Sequence, residues 1–169
     1  MTGFDVQLVV PTAAAMLGLG ERLAALLRPG DLLVLNGGLG AGKTTLVQGI
    51  GSGLGVRGPV TSPTFVIARI HPSLRGGPAL VHADAYRLGS PAEVDDLDLD
   101  ADTATSVTVV EWGGGLVEGL AQDWLDVSIT PLPGGDGDDE PRAVHLEGYG
   151  DRWADAAPMI MKDLAPRAV

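Results

Sequence analysis

The chain has 169 residues, 45% of them hydrophobic, a formal net charge of −11 and no cysteine. That is enough for one domain with a real core, spanning residues 1–169, and it excludes disulfides and thiolate metal sites. The acidic balance argues against binding nucleic acid unaided, because phosphates call for a basic face.

No apolar run approaches a membrane span and no basic-then-apolar leader opens the sequence, so a cytoplasmic protein is expected, with neither membrane nor DNA as a partner. Phe4 to Val10 begins as an apolar–polar alternation and predicts a strand. Thr12 follows as an N-cap, and the helix it opens is predicted to run to about Arg28, with Met16, Leu19, Leu23, Leu26 and Leu27 as its core stripe. Pro29-Gly30 stops it. Asp31 to Asn36 is a short apolar run that predicts a buried strand.

Gly37 to Thr44 (Gly-Gly-Leu-Gly-Ala-Gly-Lys-Thr) then matches the phosphate-binding pattern of Gly, four residues, Gly-Lys-Thr, and Thr44 to Ile50 has helical spacing. Strand, glycine turn and helix form the context this motif requires. The residue types follow from the ligand. A polyphosphate is bulky and multiply charged, so the backbone must curl around it with its N–H groups inward, which suits glycine. The helix adds the positive end of its dipole. The pattern assigns Lys43 to the β- and γ-phosphates and the Thr44 hydroxyl to Mg²⁺. Only two lysines occur, Lys43 and Lys162; the other basic residues are arginines, yet here the chain uses lysine.

Leu54 to Val60 reads as a loop, and Thr61-Ser62-Pro63-Thr64 as a polar turn. Its hydroxyls stand where nucleotide-sensing loops meet a γ-phosphate, with Thr61 or Ser62 the candidates. Strands are predicted at Phe65–Ile70 and Ala79–Asp84, joined by a Pro- and Gly-rich turn. Ser90-Pro91-Ala92-Glu93 looks like a capped helix start. Glu93 to Asp102 carries six carboxylates in ten residues. It fails the calcium-loop pattern, since counting from Asp98 puts Thr103 at the sixth position and Val109 at the twelfth. A solvated acidic face, or a surface for a partner, is the expectation.

Ser106 to Val110 is a β-branched strand ending in Glu111-Trp112, and a short helix is expected around Leu116–Leu120. Trp124–Thr130 and Arg142–Glu147 form a hairpin about an acidic, glycine-rich loop. A helix from Gly150 to Leu164 closes the chain, with Trp153, Ala157, Ile160 and Leu164 on one face.

Hydrolysis needs a carboxylate at a neighbouring strand end to hold Mg²⁺ and a group to orient water. Glu111 and Asp84 both end buried strands and are the two candidates, at the edge where α/β sheets bind ligands. His82 shares a face with Asp84 and reads most simply as a packed, hydrogen-bonded histidine. Trp112 fits a core aromatic or a partner contact equally. No Asn-Lys-x-Asp motif for reading guanine is present, so adenine is the expected base.

Gly37 to Thr45, Thr-Ser-Pro-Thr-Phe (61–65), His-x-Asp-x-Tyr-Arg-Leu (82–88) and Val-Glu-Trp (110–112), in this order and spacing, resemble the bacterial TsaE family over roughly residues 5–165. The resemblance implies an α/β, P-loop NTPase-like three-layer fold: a mixed central sheet flanked by helices. It implies ATP and ADP as ligands, Mg²⁺, and weak ATP hydrolysis in the machinery that makes threonylcarbamoyladenosine at position 37 of tRNA. The TsaD–TsaB complex is the implied partner, with tRNA reached only indirectly. Carried over by position, Gly40, Ala41, Gly42, Lys43, Thr44 and Thr45 bind ATP. Thr44 and Glu111 address Mg²⁺, Asp84 serves hydrolysis, and Thr61 matches the switch position. The chain departs from the family pattern at Gly38, where aspartate is frequent, at Gly113, where proline is common, and in the acidic 95–102 run. Two other classes share the loop: a small-molecule kinase, which would bring an arginine-rich lid not seen here, and a nucleotide-gated binding module without useful turnover.

Overall fold

The computed structural model describes residues 2–38, 42–58, 60, 68–84, 105–111, 123–133 and 140–164. Seven strands and three helices fall within them: β1 (Thr2–Val10), α1 (Ala13–Ala24), β2 (Leu32–Asn36), α2 (Lys43–Leu54), β3 (Ala68–His71), β4 (Ala79–Asp84), β5 (Ser106–Glu111), β6 (Trp124–Pro131), β7 (Arg142–Tyr149) and α3 (Asp151–Leu164). The strands form one sheet in the order β1-β7-β6-β2-β5-β4-β3. β6, β2, β5 and β4 run parallel, while β7 and β3 are antiparallel to their neighbours β6 and β4, and β1 to β7. The mixed α/β sheet with flanking helices is the expected fold.

Patterning explains which strands go where. β2 is apolar from Leu32 to Leu35, and β5 is buried along its whole length although it includes Ser106, Thr108 and Glu111; both take central parallel positions. Leu33, Leu35, Val107 and Val109 join the core against α1 and α2, while the alternate residues Leu32, Val34 and Val110 are equally buried. β6 and β7 alternate instead. Leu125, Val127, Ile129, Val144 and Leu146 face the core, and the residues between them are partly exposed.

α1 starts as its sequence dictates: the Thr12 hydroxyl accepts from the Ala15 N–H at 3.0 Å. It ends at Ala24, four residues short of the expected Arg28. The cause is Asp31, whose buried carboxylate accepts from the Arg28 backbone N–H at 2.7 Å and so captures the chain in a turn. Arg152 of α3 holds the same carboxylate in a two-pronged pair, 3.0 Å from each oxygen, and donates to the Leu26 carbonyl at 2.7 Å. This pair pins α3 to the α1–β2 turn. On α3, Trp153, Ala156, Ile160 and Leu164 are buried, and Ala157 packs at the margin.

α1 and α2 cross at glycines. A Cβ on Gly49 would collide with the Leu17 carbonyl, and one on Gly20 with the Leu46 carbonyl. Such backbone contact brings α2, and with it the residues at its start, close against α1. The predicted strand at Phe65–Ile70 is observed at its end only, as Ala68–His71; residues 61–67 lie outside the described residues. The predicted helices near Ser90 and Leu116, and the acidic 93–102 run, lie outside them too.

Candidate nucleotide site at the carboxyl edge of the sheet

Parallel strands all point their carboxyl ends to one edge, and the turns leaving that edge form a crevice. β2 delivers Asn36 there, and the chain passes through Gly37 and Gly38 before α2 begins at Lys43. Asn36 is itself fixed by a 2.6 Å hydrogen bond from its Nδ2 to Asp126 on β6.

The start of α2 is shaped by Gly42. Its φ of 107° lies in the left-handed region, which a side chain would strain. As the N-cap it offers no side chain to the first-turn N–H groups, so those donors meet no cap of their own. Lys43 is buried, and its ammonium donates to the carbonyl oxygens of Gly37 at 2.6 Å and Gly38 at 3.1 Å. The long stem therefore folds back so that the charge is held over the backbone of Gly37 and Gly38. Thr44 and Thr45 follow in the first turn, each half-buried.

One neighbour of the loop escaped the sequence reading. Arg142 opens β7, opposite Val10 of β1 and Pro131 of β6. Because β7 runs antiparallel to β6, its first residue lands at the same carboxyl edge. A Cβ on Gly42 would lie 3.5 Å from the Arg142 guanidinium and 3.4 Å from the Met16 methyl. A second cation thus packs against the loop, on a protein of net charge −11. The signal was the predicted hairpin: a return strand whose first residue is arginine.

The two candidate acids end adjacent strands in register. Asp84 of β4 pairs with Glu111 of β5, and Glu111 pairs with Leu35 of β2, two residues before Gly37. Glu111 is buried, and its Oε2 lies 3.1 Å from Nε2 of His82, which is fully buried. The Asp84 side chain, and Gly40, Ala41, Thr61, Ser62 and Trp112, lie outside the described residues. A shallow depression lined by Pro29, Gly76, Gly77, Pro78 and Thr105 sits at the opposite, amino edge of β4 and β5 and contains no titratable side chain.

The donor set fits a nucleotide with a hard cation. Backbone N–H groups, Lys43 and Arg142 suit phosphate oxygens, and the Thr44 hydroxyl with the Glu111 carboxylate suits Mg²⁺, which takes oxygen ligands, commonly one or two carboxylates beside phosphate.

Known proteins place this architecture. The family model described as threonylcarbamoyl adenosine biosynthesis protein TsaE matches residues 10–134. A Streptomyces coelicolor protein named tRNA threonylcarbamoyladenosine biosynthesis protein TsaE is 61% identical over 144 residues, covering 85% of this chain and 97% of that one. A Bacillus subtilis protein of the same name is 40% identical over 131 residues, covering 77% of each. Among solved structures, Bacillus subtilis YdiB superposes with a TM-score of 0.74 at 29% identity, covering 96% of this chain and 97% of its own. The chain belongs to the TsaE family of threonylcarbamoyladenosine biosynthesis proteins.

Proposed function

We propose that this protein binds and hydrolyses ATP with Mg²⁺, and that this activity drives turnover of the TsaD–TsaB complex as it modifies adenosine 37 of tRNA. The observation that carries the reading is the placement of Lys43: buried at the start of α2, ammonium folded over the loop from Gly37, with Glu111 ending the next strand. Family membership supports the pathway.

Within the site, the backbone from Gly40 to Thr45 and the α2 N-terminus receive the β-phosphate. Lys43 reaches from the loop to the β- and γ-phosphates, and the guanidinium of Arg142 adds positive potential beside Gly42. Thr44 and Glu111 hold Mg²⁺, which when bound neutralises charge on the transferred phosphoryl group. Asp84 stands in register with Glu111 and orients the attacking water. The Thr61-Ser62 turn senses the γ-phosphate. Coupling to the partner is then reciprocal: if ATP tightens partner binding, the partner tightens ATP binding by the same factor.

The test is tRNA modification by TsaD–TsaB over many turnovers, with this protein and ATP added or withheld. Sustained modification only with both is the expected result. Equal product without this protein, or with the Lys43→Ala variant in its place, would overturn the reading.

A further inference from the structure

The His82–Glu111 pair has a consequence for the metal that neither residue reveals alone. His82 stands beside Val109 in the parallel pairing of β4 and β5, and reaches diagonally to the strand-end carboxylate. Leu80 and His82 alternate onto the sheet face that carries Val107, Val109 and Glu111, the face packed by α2. The imidazole is fully buried and the carboxylate nearly so. An ionised carboxylate only accepts, so the 3.1 Å contact needs a proton on Nε2. The other nitrogen agrees. Nδ1 is buried with no hydrogen-bond partner among the described residues, and a proton there would be a donor with nothing among them to receive it.

We propose that His82 is a positioning residue: its Nε2–H holds Oε2 of Glu111, fixes the carboxylate plane and leaves Oε1 for the divalent cation. This rests on the reading of Glu111 as a Mg²⁺ ligand. A glutamate rotates about three bonds, and a ligand at a strand end that must first be ordered binds its metal more weakly. Bracing by a buried imidazole removes that cost beforehand, as partners behind metal ligands do elsewhere, where their loss weakens metal binding by about 10–100-fold.

The experiment titrates Mg²⁺ into protein and a fluorescent ATP analogue, and reads the Mg²⁺ concentration that half-maximally tightens nucleotide binding. His82→Met is expected to raise that midpoint about tenfold while leaving affinity in EDTA within about twofold of wild type. His82→Gln, whose amide offers a donor at similar reach, is expected to recover most of the loss. In a Glu111→Gln background the His82→Met change should shift the midpoint by less than about twofold, because two residues acting as one unit are not additive. An unchanged midpoint in His82→Met, or a full shift in the Glu111→Gln background, would overturn the proposal. Should His82→Met fail to fold, ¹⁵N spectra of wild-type protein without metal decide: a proton on Nε2 supports it, and a proton on Nδ1 alone overturns it. A wild type whose nucleotide affinity ignores Mg²⁺ would instead sink the functional reading itself, a result separable from loss of the His82 effect alone.

Discussion

In the proposed function Lys43 and Glu111 do opposite work. There Lys43 answers phosphate charge, and its removal should weaken nucleotide binding directly. Glu111 is buried beside His82 and one strand from β2, so in that reading its charge acts through the cation. Glu111→Gln keeps shape and hydrogen bonding but removes the charge. Its expected effect is a loss of Mg²⁺-dependent turnover of at least about tenfold, with metal-free ATP affinity close to wild type, both checked by titration and a phosphate-release assay. Normal turnover in that variant, beside an inactive Asp84→Asn, would exchange the roles of the two acids. The places of Lys43, Thr44 and Glu111 in the fold were legible because their signals are local: a glycine turn between strand and helix, and an acid closing a β-branched run. Arg142 and the His82–Glu111 contact were not, because register between strands far apart in the chain creates them. Arg142 comes 100 residues after Gly42, a separation that no spacing rule spans.

Among the elements, the α1–α2 crossing is the most exacting. At Gly49 the obstacle is the Leu17 carbonyl, which is helix backbone and cannot turn aside. Gly49→Ala should therefore separate the helices and destabilise the fold by about 3 kcal/mol, despite alanine's higher helix propensity. Thermal unfolding measures it, and a stability equal to wild type would show that the crossing has slack. Gly18 is the control within α1, since a Cβ there meets nothing and Gly18→Ala should be neutral or stabilising. A second element, the end of β3, carries a pH signature. Burial pushes the His71 imidazole below its usual value, against the hydrogen bond of its Nδ1–H to the Arg57 carbonyl. The folded state thus takes up the proton less readily than the unfolded chain. Its contribution to stability is intact above about pH 6.5 and falls as the pH drops from there through the lower folded value. His71→Gln should flatten the stability profile over that window in chemical denaturation, and an unchanged profile would assign the slope elsewhere. The strands and helices themselves were legible from periodicity. The early end of α1 was not, because Asp31 reaches back to Arg28 and forward to Arg152, a tertiary event that overrides a continuing apolar stripe.

As a whole the molecule is an acidic body that sets two of its cations, Lys43 and Arg142, at the carboxyl edge of the sheet. A net charge of −11 repels a polyanion over about a Debye length, while in the proposed function two cations and the helix N–H groups attract a short polyphosphate locally. The isolated protein should therefore show no measurable tRNA binding at physiological salt, as read by filter binding or fluorescence anisotropy. Tight binding would refute the charge argument and with it an indirect route to tRNA. The proposed chemistry depends most on Lys43, so the most direct measurement is ATP hydrolysis with Mg²⁺ by wild type and Lys43→Ala side by side, each also titrated with ATP. Wild type should release phosphate and bind ATP, and the variant should lose turnover and bind roughly 10–100-fold more weakly, the worth of a charge-assisted contact. Equal turnover in the two proteins, or no ATP binding by wild type, would contradict the proposed function.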